Sequence, residues 1–226
     1  MRTFSTAPLP QPTAFQLAAG EALFARAWRF LRGVPRLDLL PGTDQAEVAF
    51  AGRSNVGKSS LINALVRQRG LARTSRTPGR TQELNFFAAP GVFLFLVDMP
   101  GYGFAKAPHA QVAAWTQLLK DYLRGRPTLM RDYHLVDARH GLMAGDRDLM
   151  QLMDAAGVAY RIVLTKADKL KPHALSAVTA AVVEALSEHP AAGRAVLATS
   201  AQTSLGVAEL RAEIAELAKA HGARLG

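Results

Sequence analysis

Short apolar runs and amphipathic stretches alternate along the chain, and that alternation predicts an architecture. Glu47-Val48-Ala49-Phe50-Ala51 reads as a short buried strand, and the segment after it places Leu61, Ile62, Leu65 and Val66 at helical spacing. Leu84-Asn85-Phe86-Phe87 and Val92-Phe93-Leu94-Phe95-Leu96-Val97 follow as two strands joined by a turn at Pro90-Gly91. The second is apolar throughout, as a strand covered on both faces should be. Helix 110–125, with Val112, Trp115, Leu119 and Tyr122 on one side, then leads to strand 133–137. Helix 145–155, strand 159–165, helix 173–187 and strand 194–198 continue the series. Helix 206–220, apolar at Val207, Leu210, Ile214 and Leu217, ends it. This order predicts an α/β fold: an open, mostly parallel six-stranded sheet with one antiparallel edge strand and helices on both faces. Such sheets bind ligands at the carboxyl ends of their strands.

The first residues differ. Met1 to Thr13, rich in Ser, Thr and Pro, reads as a flexible arm. Leu17, Phe24, Trp28 and Leu31, with Arg26, Arg29 and Arg32 among them, predict an amphipathic basic helix ending near Gly33 and Pro35. Residues 1–28 are therefore expected as an extension, and 29–226 as a single domain.

The strand ends carry the candidate chemistry. Gly52-Arg53-Ser54-Asn55-Val56-Gly57-Lys58-Ser59 fits G-x-x-x-x-G-K-[ST], the phosphate-cradling P-loop, with a strand before it and a helix after it. Backbone N–H groups and the positive end of a helix dipole aim at one point there, and anions bind. Lys58 would reach the β- and γ-phosphates, and the Ser59 hydroxyl would be a Mg2+ ligand. After the third strand, Asp98-Met99-Pro100-Gly101 places an acid beside the metal shell and a glycine where backbone must approach the γ-phosphate. After the fifth, Thr165-Lys166-Ala167-Asp168 offers a carboxylate to guanine's N1–H and exocyclic amine, a donor pair adenine lacks. After the sixth, Thr199-Ser200-Ala201 can offer backbone N–H groups to guanine O6. Between the P-loop helix and the second strand, Thr81 is the expected hydroxyl completing Mg2+ coordination when a γ-phosphate is present, with Thr77 the alternative. Lys58, Thr81 and Gly101 are thus the catalytic candidates, as phosphate and transition-state contacts, and no general base stands out.

Charge adds a partner class. The 226 residues carry 27 Lys and Arg against 18 Asp and Glu, a net +9, which points to a polyanion. Arg67, Arg69, Arg73, Arg76 and Arg80 crowd one polar segment with no acid until Glu83. With no cysteine, a disulfide framework, a cysteine nucleophile and Cys-ligated zinc are all excluded. The six histidines show no ligand spacing. The longest apolar candidate, Phe86 to Val97, is broken by Pro90-Gly91, so no membrane span is expected and a cytoplasmic monomer is.

The motifs in this order resemble a P-loop NTPase G domain of the translation-factor-related kind. The particular strings narrow the match. Gly52 to Ser60, Leu71-Ala72-Arg73-Thr74-Ser75, Thr77-Pro78-Gly79-Arg80-Thr81-Gln82 and Asp98 to Ala105 look like the EngB (YihA/YsxC) family of the TrmE-Era-EngA-EngB-Septin-like superfamily, over roughly residues 29 to 218. The resemblance implies a GTPase needed for assembly of the large ribosomal subunit and for normal cell division and septation. It implies that Gly52 to Ser59 bind phosphates and that Ser59 and Thr81 bind Mg2+. Gly79, Arg80, Thr81, Gln82 and Glu83, with Asp98, Met99, Pro100 and Gly101, would contact GTP or GDP, and Thr165 to Asp168 with Thr199 to Ala201 would hold the base. Many GTPases orient the attacking water with a Gln just after D-x-x-G. Here Tyr102 stands at that position, so slow intrinsic hydrolysis is expected. Asn55 matches the P-loop asparagine of cation-activated relatives, which makes K+ a candidate activator. Two other readings stay open: a P-loop ATPase or kinase, and a nucleotide-dependent cell-division scaffold that does not bind RNA.

Overall fold

A computed structural model describes residues 11–72, 83–102 and 109–220, with backbone alone for 109–115. Its centre is strand β2 (Ala46–Gly52), of which every residue is buried. Val48 and Phe50 face one core layer, and Ala49 and Ala51 face the other. Small residues on one side and large ones on the other let helices cover both faces.

Among the described residues the sheet has seven strands in the order β1-β3-β4-β2-β5-β6-β7. They are β1 (Arg29–Val34), β2, β3 (Leu84–Ala88), β4 (Leu94–Asp98), β5 (Leu129–Asp137), β6 (Tyr160–Thr165) and β7 (Leu197–Ala198). β1 pairs antiparallel with β3, and β3 antiparallel with β4; all other pairings are parallel. The helices are α1 (Ala14–Phe24), α2 (Lys58–Leu65), α3 (His109–Gly125), α4 (Ala144–Ala156), α5 (Pro172–Ala185) and α6 (Val207–Ala220).

The mostly parallel sheet with helices on both faces agrees with the expectation, but there are seven strands rather than six. The added one is β1, so the antiparallel strand β3 lies one place in from the edge. This also corrects the basic helix expected up to Gly33. α1 stops at Phe24, and Arg29 and Arg32 belong to the strand. Trp28 explains the change: it turns inward, stacks on Phe24 with centroids 5.7 Å apart, and donates its indole N–H to Leu23 O at 3.3 Å. The backbone beyond it then satisfies the edge of β3, and tertiary pairing overrides helical spacing.

Of the expected arm, residues 1–10 lie outside the described residues. Thr13 is the N-cap of α1, in a reciprocal box with Gln16: the Gln16 N–H donates to Thr13 Oγ1 at 3.2 Å, and the Thr13 N–H to Gln16 Oε1 at 2.9 Å. α1 crosses α6 closely because Gly20 has no side chain; a Cβ there would lie 2.6 Å from Ala212 N.

Other boundaries shift less. β5 begins at Leu129 rather than near 133, because Asp132 is buried inside the strand instead of ending it. β7 shrinks to two residues. One buried charge anchors the α3 side of the sheet. Glu47 accepts from Tyr122 Oη at 2.7 Å, from Arg126 Nε at 2.6 Å and from Thr128 Oγ1 at 2.9 Å. A buried carboxylate is tolerated only with such a set of donors.

Candidate functional site

The loop between β2 and α2 turns through conformations that its residues suit. Asn55 has φ 62° and Gly57, the N-cap of α2, has φ 107°. Gly57 also lies under Lys166, whose Cε would be 3.7 Å from a Cβ placed on it. At the start of α2, Lys58 pairs with the Asp98 carboxylate at the end of β4, both nearly buried. Ser59 follows in the same first turn. The P-loop lysine and the acid of D-x-x-G therefore meet, as the strand-end reading requires.

Gly101 is packed on the loop: a Cβ there would lie 2.9 Å from Ser54 Oγ. Met99 N–H donates to Phe50 O at 3.0 Å, tying this segment to β2. Pro100 lies between them, buried.

Beyond β6, Thr165 Oγ1 donates to Val56 O at 2.6 Å and Val136 O at 3.3 Å, so the segment is fastened to the P-loop. Lys166, at φ 55°, donates from Nζ to Asn55 O at 2.6 Å and pairs with Asp137 Oδ2 at 2.8 Å. Its stem thereby forms one wall of a cleft of about 380 Å³ lined by Gly57, Thr165, Lys166, Asp168, Ser200 and Ala201 among others. Ala167 N–H donates to Thr199 O at 3.1 Å, joining the two base-side loops. A hydrogen bond from Ser200 chiefly lowers the Asp168 carboxyl below its ordinary value; desolvation opposes it, and Lys169, whose Nζ lies 3.1 Å away, adds to the lowering. A charged acid lining the cleft can accept from two adjacent donors.

Gly52 to Ser59, Asp98 to Gly101, Thr165 to Asp168 and Thr199 to Ala201 are thus gathered at one end of the sheet. Gly79, Arg80, Thr81 and Gln82 lie outside the described residues, as do Thr77 and the arginines at 73, 76 and 80. Glu83 lies against Gly33 of β1, where a Cβ would strike its carboxylate.

Two features escaped sequence reading. Asp137, in sequence only the last residue of strand 133–137, holds Lys166; burial would raise its carboxyl, but hydrogen bonds from Arg139 and Lys166 outweigh this and hold it well below the usual range. Its position at a strand end was the available signal. Tyr102 is buried instead of facing the phosphates, its hydroxyl 2.6 Å from Asp146 Oδ1. Among the described residues, no group of three or more His, Cys, Asp or Glu is placed to hold a metal. Ser59 in the first turn of α2 carries a hydroxyl and Asp98 at the end of β4 a carboxylate, oxygens of the hard type that suit Mg2+. No helix among the described residues is long and apolar enough to cross a membrane.

Comparison with known proteins fits this geometry. A family described as "50S ribosome-binding GTPase" matches residues 47–166. A probable GTP-binding protein EngB of Chelativorans sp. is 57% identical over 203 residues, covering 86% of this chain and 90% of that protein. One from Bradyrhizobium diazoefficiens is 56% identical over 202 residues, covering 89% and 93%. Among solved structures, a probable GTP-binding protein EngB superposes with a TM-score of 0.60 at 22% identity, covering 77% of this chain and all of that one. Era bound to MgGDPNP and a stretch of 16S ribosomal RNA gives 0.61 at 22%, covering 78% of this chain and 57% of that one. The two structures establish likeness of fold.

Proposed function

The chain belongs to the EngB family of GTP-binding proteins, and from that premise we propose that it acts as a slow GTPase switch in assembly of the large ribosomal subunit. The observation that carries the guanine-nucleotide reading is the joining of Lys58, Lys166 and Asp168 around one end of the sheet, with the P-loop backbone running between them.

The roles follow from the chemistry. The P-loop N–H groups and Lys58 bind the phosphates. Asp168 accepts from the guanine edge, Lys166 covers the base plane with its stem, and Ala201 offers its backbone to O6. Ser59 and Thr81, with Asp98 behind them, would hold Mg2+, which when bound would neutralise charge on the β- and γ-phosphates. Gly101 would meet the γ-phosphate with its amide. Slow hydrolysis fits Tyr102, the residue after Gly101, being turned into the core rather than towards the phosphates. K+ near Asn55 is the candidate that would supply the missing positive charge.

The net charge of +9 supports an RNA partner. So does the exposed edge strand β1, where Arg29 and Arg32 flank an exposed Phe30 and Leu31. Arginines beside an exposed aromatic ring fit a phosphate backbone with unstacked bases. The nucleotide-binding unit would span residues 29–226, with α1 as a brace on α6. Through ribosome supply, this cytoplasmic, monomeric protein would also be needed for normal cell division and septation.

Sedimentation of the full chain with large-subunit particles, with GDP or a non-hydrolysable GTP analogue, tests the reading. Binding that is stronger with the GTP analogue and weakens steeply with salt is expected. Indifference to both would favour a scaffold that does not touch RNA.

A further inference from the structure

Tyr102 follows Gly101 directly, at the position from which many GTPases direct the attacking water. Here its side chain is turned into the protein and is 7% exposed. Its backbone is joined to the P-loop: the N–H donates to Gly52 O at 3.4 Å, and the carbonyl accepts from the Ser54 N–H at 3.0 Å. Its hydroxyl donates to Asp146 Oδ1 at 2.6 Å and lies 2.9 Å from His134 Nε2. The other oxygen of Asp146 accepts from Met143 N–H at 2.8 Å, which locks the first turn of α4. Gly145 packs beside the ring, where a Cβ would be in ordinary contact, 3.4 Å from Tyr102 Cδ2.

Three elements therefore close on one phenol: the loop after β4, strand β5 through His134, and α4 through Asp146. Tyr102 is held at its backbone by the P-loop and at its far end by two buried polar groups. Gly101 directly precedes this anchored residue and packs on Ser54, where a Cβ would come 2.9 Å from Oγ. A residue held this way does not swing towards water. It fixes the amide beside it. The base-binding loops reach the P-loop by a separate route, through Thr165 and Lys166.

We propose that Tyr102 is a positioning residue for GTP hydrolysis: the Tyr102–Asp146–His134 cluster sets the Gly101 amide against the P-loop, so that turnover depends on the cluster and nucleotide binding does not. An ordinary core tyrosine, by contrast, would matter for stability alone.

The test uses the full chain, measuring intrinsic turnover of GTP in Mg2+ buffer and separate binding of GDP. Tyr102→Phe keeps the ring and removes the hydroxyl. We expect kcat to fall about tenfold, equivalent to about 1.4 kcal/mol, with KM for GTP and Kd for GDP within about twofold of wild type. Unchanged kcat overturns the proposal, and so does an equal loss of GDP affinity. If that variant does not fold, Asp146→Asn gives the same readout. It retains an oxygen acceptor but loses the charge, so a smaller fall in kcat, about threefold, is expected with binding intact. Wild-type kcat in that variant overturns the proposal equally.

Discussion

Arg211 of α6 and Glu21 of α1 form an ion pair, Nη1 to Oε1 at 2.7 Å, directly behind the P-loop helix. The same guanidinium donates to Leu65 O at 2.9 Å and Ala64 O at 2.7 Å, which are terminal carbonyls of α2. Ala64 O also accepts from the Arg67 N–H at 3.3 Å, so the guanidinium adds a second donor there. Arg211 thus caps the helix that begins at Lys58, and Glu21 supplies its counter-charge.

Glu21→Ala is therefore expected to destabilise the protein by about 1–2 kcal/mol, below the range for a fully buried pair because Glu21 is partly exposed. Arg211→Ala is expected to cost more, about 3 kcal/mol, since it also takes the guanidinium donors from Leu65 O and Ala64 O. Thermal unfolding should show drops of about 2–4 °C per kcal/mol for a chain of this size. Equal Tm values for wild type and Arg211→Ala would contradict the capping role.

Asp168→Asn should reverse base preference. An amide places an N–H donor where guanine also donates, so affinity for GDP should fall about 10- to 100-fold. A base with a carbonyl at that position, as in xanthine, should be favoured instead. Competition between fluorescent GDP and XDP measures both. Unaltered GDP affinity would remove Asp168 from the base site.

Asp137 gives a pH signature. Its folded-state carboxyl is held low by Arg139 and Lys166, so its contribution is fully present above the unfolded value of about 3.9 and is lost as pH falls below that. The stability difference between wild type and Asp137→Asn should be constant from about pH 5 to 8 and shrink below about pH 4. Urea unfolding across that range reads it directly. A difference that grew on acidification would have the wrong sign.

On the edge strand, Arg29→Ala and Arg32→Ala should each weaken binding to ribosomal particles and reduce the salt slope by about one. Phe30→Ala should weaken binding by about 1–3 kcal/mol with the slope preserved, as loss of a stacking platform would. Sedimentation at several salt concentrations separates the two effects. No change in any of the three variants would place the RNA contact elsewhere.

Much of the site was legible because its signals are local. Glycine, lysine and serine at fixed spacing between a strand and a helix leave few alternatives for Gly52 to Ser59. Asp98 and Asp168 were legible through the rule that ligands meet strand ends. What escaped depends on distant partners. The spacing of Leu17, Phe24, Trp28 and Leu31 is as compatible with a turn and a strand as with a helix, and β3, which decides between them, begins at Leu84, 50 residues after β1 ends at Val34. Tyr102 showed only that it is not glutamine. Its anchor Asp146 lies 44 residues away. Asp137 gained its meaning from Lys166, 29 residues downstream.

The closeness of α1 to α6 has a consequence for synthesis. Glu21 and Arg211 are 190 positions apart, so α1 gains this partner only once α6 has been made, whereas Arg67 can pair with Glu21 much earlier. Ordering such a remote contact is entropically slow. A nascent chain stopped short of α6 would lack the guanidinium that finishes the nucleotide-gripping helix. Competence to bind nucleotide would then await synthesis of α6.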